Sequence, residues 1–359
     1  MDTYEIAVVG GDGIGPEVCE ATIEVLEAAV GPERTLVWKH LKAGANNFLA
    51  TGVCLPDETI EACREADAIL LGAAGLPGVL YEDGTEAGQD TTLRLRFELD
   101  LYANLRPIKL YEGVATPLEG RPAIDYAIVR ENSEGLYASR GGGNTLRGEV
   151  ASDTMLMTRK GVERIARKAA ELCLQRDGAP LDGKRRVTIC DKANVLRSFA
   201  FFRSVASETL LEYPEIEVDY ALVDALSMYL VTRPGYYDVI VAENMFGDIL
   251  SDLGAATIGG LGLADSAEIG DGHALFQGSH GSAPDIAGKG IANPVATVLS
   301  GATMFDWLGR TREDDFLVAK GAAIKSAVRR MLARGTGLTR DLGGSASMKE
   351  CVAAILEEL

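Results

Sequence analysis

The sequence predicts an α/β protein with a substantially parallel sheet. Short apolar runs of strand type alternate with amphipathic helical stretches, and glycine-rich turns follow several of the runs. The chain of 359 residues is 47% hydrophobic and 25% charged, enough apolar material for one large or two medium folded domains.

Taken in order, Ile6 to Val9 forms the first run and leads into Gly10-Gly11-Asp12-Gly13-Ile14-Gly15-Pro16. Val18, Thr22, Val25, Leu26 and Ala29 then recur at helical spacing. Pro16 suits the first turn of that helix and Gly31 its end. Ala68 to Leu71 is a second strand. Tyr126 to Val129, Val187 to Cys190, Val218 to Val223 and Val239 to Ala242 are further strands, and Asp224 directly follows one of them. A helix between them carries Val162, Ile165, Ala166, Ala169, Leu172 and Cys173 on one face. In the last helix Ser347 and Glu350 form a capping box, with Met348, Cys351, Val352, Ile355, Leu356 and Leu359 in one stripe. Gly141-Gly142-Gly143 reads as a loop inside a domain. The glycine-rich segments 10–15 and 254–290 are expected to meet and build one site.

The formal net charge of −18 argues against a general binder of nucleic acid or anionic membrane. No apolar run reaches the length of a membrane span. Met1 to Tyr4 lacks a basic region and runs into a strand, so a signal peptide is not expected and the reading is cytoplasmic. Cys19, Cys54, Cys63, Cys173, Cys190 and Cys351 are scattered among apolar residues, as reduced core cysteines are.

Several motifs bear chemistry. Gly11, Gly13 and Gly15 follow a strand and open a helix, the context of a phosphate-binding turn or of a tight structural turn; the spacing is not G-x-G-x-x-G. Gly281-Ser282-Ala283-Pro284-Asp285-Ile286-Ala287-Gly288-Lys289-Gly290 is no P-loop, because Gly290 stands where Ser or Thr is required. Such a loop can wrap a dinucleotide, and Asp285 would accept hydrogen bonds from a ribose and repel a 2′-phosphate. Asp248 and Asp252 lie four apart. On a helix they share a face and suit Mg²⁺ or Mn²⁺, or simply a solvated surface, with Asp224 a candidate third ligand. Arg94, Arg96, Arg106 and Arg130 could fork carboxylates or form surface ion pairs. Arg130, like Lys192 and Asn194, follows a strand, where ligands sit in α/β sheets. No G-x-S-x-G elbow is present, and His40, His273 and His280 offer no serine-hydrolase arrangement.

Together these stretches resemble the β-decarboxylating dehydrogenases, the family of 3-isopropylmalate, isocitrate, homoisocitrate and tartrate/D-malate dehydrogenases. The resemblance rests on Gly11 to Glu17, Leu101 to Pro107, Val129 to Tyr137, Asp191 to Val195, Gly247 to Leu253 and His280 to Pro294, in the family's order. It implies two α/β domains with an interdomain cleft, not a Rossmann fold. Residues 1–102 and 255–359 would form a large cofactor-binding domain, and 103–254 a small substrate and dimerisation domain. It implies a homodimer with shared active sites, each taking Lys192 and Asp224 from the partner subunit.

The family's site residues carry over position by position. Arg96, Arg106 and Arg130 would clamp the carboxylates of a malate-type acid, with Thr92 and Leu93 facing its distinguishing substituent. Asp224, Asp248 and Asp252 would hold Mg²⁺ or Mn²⁺. Lys192 would take the C2 hydroxyl proton and Tyr137 would protonate the enol carbon after decarboxylation. Ile14, His280, Gly281, Ser282, Ala283, Asp285, Ile286 and Asn293 would bind the cofactor, and Asp285-Ile286 matches the NAD form rather than NADP. A catalytically silent subunit would be expected to lose such residues, and none is lost.

Two departures stand out. Phe276-Gln277-Gly278-Ser279-His280 replaces the usual Phe-Glu-Pro-Val-His. Ahead of Arg96, Thr91-Thr92-Leu93-Arg94 mixes apolar and polar residues: Leu93 suits an alkyl group, while Arg94 follows the tartrate/D-malate pattern of Lys. 3-Isopropylmalate is the leading substrate, ahead of tartrate or D-malate and of isocitrate or homoisocitrate.

Overall fold

The computed structural model describes residues 3–359; Met1 and Asp2, part of the N-terminal reading, lie outside them. In chain order the elements are β1 (Thr3–Gly11), α1 (Gly15–Val30), β2 (Thr35–Leu41), α2 (Ala45–Thr51), α3 (Asp57–Glu65), β3 (Ala68–Ala73) and α4 (Asp90–Glu98). Next come β4 (Ala103–Lys109), β5 (Asp125–Glu131), β6 (Asn144–Leu146), β7 (Val150–Ser152), α5 (Arg159–Gln175), β8 (Arg186–Asp191) and α6 (Arg197–Leu210). They continue with β9 (Glu217–Leu222), α7 (Val223–Thr232), β10 (Val239–Ala242), α8 (Asn244–Thr257), β11 (Asp265–Ile269) and β12 (Ala274–Gly278). α9 (Val295–Thr311), α10 (Asp315–Arg334) and α11 (Met348–Glu358) complete the chain.

The chain divides into two compact units. One comprises the residues up to Leu101, Tyr111–Ala115 and Gly259–Leu359; the other comprises Tyr102–Leu110 and Thr116–Ile258. Residues 111–115, expected with the central part, thus group with the terminal parts.

In the terminal unit the strand order is β2-β1-β3-β12-β11. β1 runs parallel to β2 and β3, β3 parallel to β12, and β11 antiparallel to β12. The core of β1 and β3 is continuous apolar sequence because both faces are covered: Ala7, Val9, Ile69 and Leu71 of one face pack with Ile60, Leu95, Leu99 and Leu275, and Ile6, Val8, Ala68 and Leu70 of the other are buried as well. In the central unit the order is β4-β5-β10-β8-β9, antiparallel between β4 and β5 and parallel elsewhere. Val129, Val187, Ile189, Val239 and Val241 meet Val162, Ile165, Ala169, Phe202 and Val205 from α5 and α6. Arg130 and Cys190 are both in register with Ala242, so the carboxyl ends of β5, β8 and β10 come level.

Helix signals hold where capping chemistry is explicit. α1 has Pro16 in its first turn and ends at Gly31, whose φ is 58°. The Ser347–Glu350 capping box forms in both directions. One strand expectation is corrected: β9 stops at Leu222 and Val223 opens α7, which places Asp224 in a helix's first turn rather than at a strand end. All six cysteines are buried and free, and burial pushes the Cys19 thiol up to about 12.

β11 gives no strand signal in the sequence, because Asp265, Ser266 and Glu268, all buried here, break the apolar pattern. Burial pushes the Asp265 carboxyl up to about 6, against the pull of Lys325 and Thr303. The folded chain therefore keeps a proton that the unfolded chain releases near pH 4. This contribution to stability is present below that pH, falls as the pH rises through about 6, and stays lost above it. Asp265→Asn is expected to stabilise the fold at pH 8 by roughly 2 kcal/mol and to leave it little changed at pH 4. Thermal melts at the two pH values check this; a lower melting temperature at pH 8 would contradict it.

Candidate active site

In the central unit, α8 begins directly after β10. The Glu243 carboxylate caps it, accepting from the backbone N–H groups of Phe246 at 2.7 Å and Met245 at 3.2 Å. Asp248 and Asp252 follow one turn apart. Arg130, at the end of β5 and only 1% exposed, lies against this helix. Its Nε and Nη2 both donate to Asn244 Oδ1, at 3.0 and 2.8 Å, and its Nη1 donates to Asp248 Oδ1. Gly247 permits the approach, since a Cβ there would stand 2.7 Å from Arg130 Cβ.

Arg106 enters from β4. Its Nη1 donates to Ser251 Oγ at 2.7 Å and lies 3.5 Å from Asp248 Oδ1 and 3.7 Å from Asp252 Oδ1. The Tyr137 hydroxyl donates to Asp248 Oδ2 at 3.1 Å. Partial burial, reinforced by the Asp248 charge, raises the Tyr137 pKa above the ordinary phenol value and keeps the proton on its oxygen. Burial also raises the Asp252 carboxyl, against Arg106, and neighbouring Asp248 adds to the rise. Two carboxylates that resist sharing one helix face are a hard-oxygen donor pair suited to a divalent cation.

Lys192 and Asp224 form a separate pair in the same unit, Nζ to Oδ1 at 2.7 Å, and that hydrogen bond lowers the Asp224 carboxyl. Among the described residues, no three His, Cys, Asp or Glu side chains gather around one metal position. One chain therefore brings Asp248 and Asp252 together but not Asp224 with them.

In the terminal unit the two glycine-rich segments do meet. Ile14 N–H donates to the Ser282 carbonyl at 2.8 Å, and Ser282 Oγ donates to the Gly75 carbonyl at 2.5 Å. Ala283 sits at φ 37°, Ile286 N–H closes a turn on its carbonyl, and Gly281 and Asp285 face solvent. Asn293 is buried; its amide donates to Asp341 at 2.8 Å and its Oδ1 accepts from Val295 N–H at 3.0 Å. An outward carboxylate beside a pinned turn at a helix start suits a dinucleotide. On α4, Thr92, Leu93 and Arg96 share a face by their spacing. Arg94 instead reaches the Leu55 carbonyl and Asp57, at 2.9 and 3.2 Å. Arg96 Nε and Nη2 grip Glu268 at 2.8 and 2.7 Å.

Asn244, Ser251, Glu268 and Gln277 were missed as site residues. Asn244 stands just ahead of the Gly247 motif and could have been suspected. Glu268 carries no sequence signal.

The model of the family described as isocitrate/isopropylmalate dehydrogenase matches residues 5–356. The chain belongs to this family. A 3-isopropylmalate/3-methylmalate dehydrogenase of Methanocaldococcus jannaschii is 44% identical over 343 residues, 95% of each chain. A 3-isopropylmalate dehydrogenase of Frankia casuarinae is 46% identical over 86% of this chain and 88% of its own. The crystal structure of isocitrate dehydrogenase from Methylococcus capsulatus superposes with a TM-score of 0.86 at 37% identity, covering 99% of both chains.

The protein is thus a decarboxylating dehydrogenase dependent on a nicotinamide cofactor and a divalent metal. No helix among the described residues is long and apolar enough to cross a membrane. In this dehydrogenase the departure at 277–279 has a visible consequence. A Cβ on Gly278 would stand 2.3 Å from His280 Nε2, so the imidazole occupies space that the family's usual proline would fill. Its Nε2 lies 3.4 Å from Thr297 Oγ1, and burial lowers its pKa, keeping the ring neutral near pH 7.

Proposed function

We propose that this dehydrogenase oxidises 3-isopropylmalate to 2-oxoisocaproate with NAD⁺ and Mg²⁺ or Mn²⁺, as a cytoplasmic homodimer serving leucine biosynthesis. The observation that carries the reading is the convergence of Arg106, Arg130 and Tyr137 on the Asp248–Asp252 face of α8. The M. jannaschii and F. casuarinae relatives, both 3-isopropylmalate dehydrogenases, support the substrate class. Engagement of Arg94 with Leu55 and Asp57 supports it over the tartrate reading, and leaves Leu93 as the apolar contact for a branched alkyl group.

Asp248 and Asp252 would hold the cation, with Asp224 of a second copy completing the set. When bound, the nicotinamide would supply a hydride acceptor for C2, and the cation would supply positive charge beside the C2 oxygen. Arg106 and Arg130 fork a carboxylate and fix the acid's orientation, and Arg96 is the terminal unit's own carboxylate contact. Lys192 of the second copy takes the C2 hydroxyl proton. After CO₂ leaves, Tyr137 returns a proton to carbon. The terminal unit would hold the dinucleotide along Ile14, His280 to Ala283, Asp285, Ile286 and Asn293, and the central unit the substrate and dimer contact.

Metal-titrated NADH formation, measured as kcat/KM across 3-isopropylmalate, D-malate, tartrate, isocitrate and homoisocitrate, tests this. The expected result is a clear preference for 3-isopropylmalate; another leading acid overturns the substrate, and no NADH from any overturns the reading. Asp285→Lys with Ile286→Tyr is expected to move preference toward NADP by at least about tenfold. An unchanged NAD/NADP ratio would show that Asp285 does not read the ribose.

A further inference from the structure

The chain lacks the glutamate that its family usually carries after Phe276, and places a glutamate across the hairpin instead. β11 and β12 pair so that Ser266 faces Gln277 and Glu268 faces Leu275. Residues 268 and 277 are therefore diagonal neighbours on one side of the hairpin. Gln277 Nε2 donates to Glu268 Oε1 at 2.7 Å. The same carboxylate takes Arg96 Nε on Oε2 and Arg96 Nη2 on Oε1. The arginine side chain is 6% exposed and the glutamate side chain is fully buried.

A charge pair this deep is costly to desolvate and persists only with good geometry and added hydrogen bonds. This pair has both, a two-point fork and an amide donor on the carboxylate. Fixing Nε and Nη2 of a planar guanidinium fixes the directions in which the whole group can donate. We propose that Glu268, braced by Gln277, is the positioning residue that sets Arg96 for substrate carboxylate binding, in place of the glutamate missing at position 277. The role rests on the reading of Arg96 as a substrate contact and goes beyond it by naming the carboxylate that holds this arginine in place.

The test is an exchange. Glu268→Gln alone removes the counter-ion, and Gln277→Glu alone sets two carboxylates side by side. Each is expected to raise KM for 3-isopropylmalate at least tenfold while kcat moves less than about threefold, since a misaligned arginine weakens binding more than chemistry. The double variant Glu268→Gln/Gln277→Glu restores one carboxylate and one amide, and is expected to return KM to within threefold of the parent. Because either single change risks misfolding, the double variant decides: if it folds but its KM stays tenfold raised, the positioning role is overturned. A Glu268→Gln enzyme with lowered thermal stability but parental KM overturns it too, because a merely structural pair behaves that way. Arg96→Lys separates the two layers. If it raises KM and Glu268→Gln does not, only the positioning role falls; if it leaves KM unchanged, the substrate reading of Arg96 falls and takes the positioning role with it.

Discussion

Replacing Asp248 with asparagine is expected to abolish metal-dependent turnover, lowering kcat/KM by at least about 10³-fold. The side chain stands at the centre of the α8 cluster: Oδ1 takes Arg130 and neighbours Arg106, and Oδ2 takes the Tyr137 hydroxyl. Asparagine preserves the volume and one acceptor oxygen, so the helix and the Arg130–Asn244 fork should survive. What it removes is the negative charge that a hard divalent cation requires. Mn²⁺ binding followed by calorimetry should weaken at least about 10²-fold, with melting temperature little altered. Parental Mn²⁺ affinity with parental turnover would refute the assignment of Asp248 as a ligand.

Tyr137→Phe isolates the other half of the chemistry. The phenol is half-buried, and burial together with the Asp248 charge holds its proton on oxygen at neutral pH. A protonated hydroxyl beside the carboxylate cluster can deliver a proton to carbon. Its loss is expected to slow kcat about 10²- to 10³-fold, roughly 3–4 kcal/mol of barrier, while KM stays within about threefold. A change confined to KM would mean that Tyr137 only binds. The two variants differ in a second readout, since Tyr137→Phe should leave Mn²⁺ affinity within about threefold of the parent and Asp248→Asn should not.

Much of this site was legible in the sequence because its residues occupy motif positions with local logic. Asp248 and Asp252 share a face for any helix with their spacing, and the turn after β1 announces a helix start whatever surrounds it. The charge also reads differently once the site is built. A net −18 argues against unspecific anion binding, whereas at the site Arg106 and Arg130 offset Asp248 and Asp252, so that a bound divalent cation would make the local charge positive.

Other features could not be read from one dimension. Val218 to Val223 is apolar apart from Asp219 and reads as a strand to its end, but β9 is a partly exposed edge and α7 begins at Val223. β11 holds two acids, Asp265 and Glu268, and a serine that no buried strand would be assigned. Glu268 is tolerated because Arg96, 172 residues away, meets it, while the Ser266 backbone N–H donates to Ser300 Oγ at 3.2 Å.

The sequence alone therefore determined the family, the α/β class, the helix ends with explicit caps, and which residues are candidates for the site. Each depends on residue type and short-range spacing. Only the tertiary structure decided which arginine faces what. Arg94 turns to the start of α3, Arg96 is clamped by a carboxylate from a distant strand, and Arg130 is forked by Asn244. An arginine's reach exceeds its neighbourhood in the chain, and where the fold buries it, as at Arg96 and Arg130, its charge must find hydrogen-bonding and opposite-charge partners there.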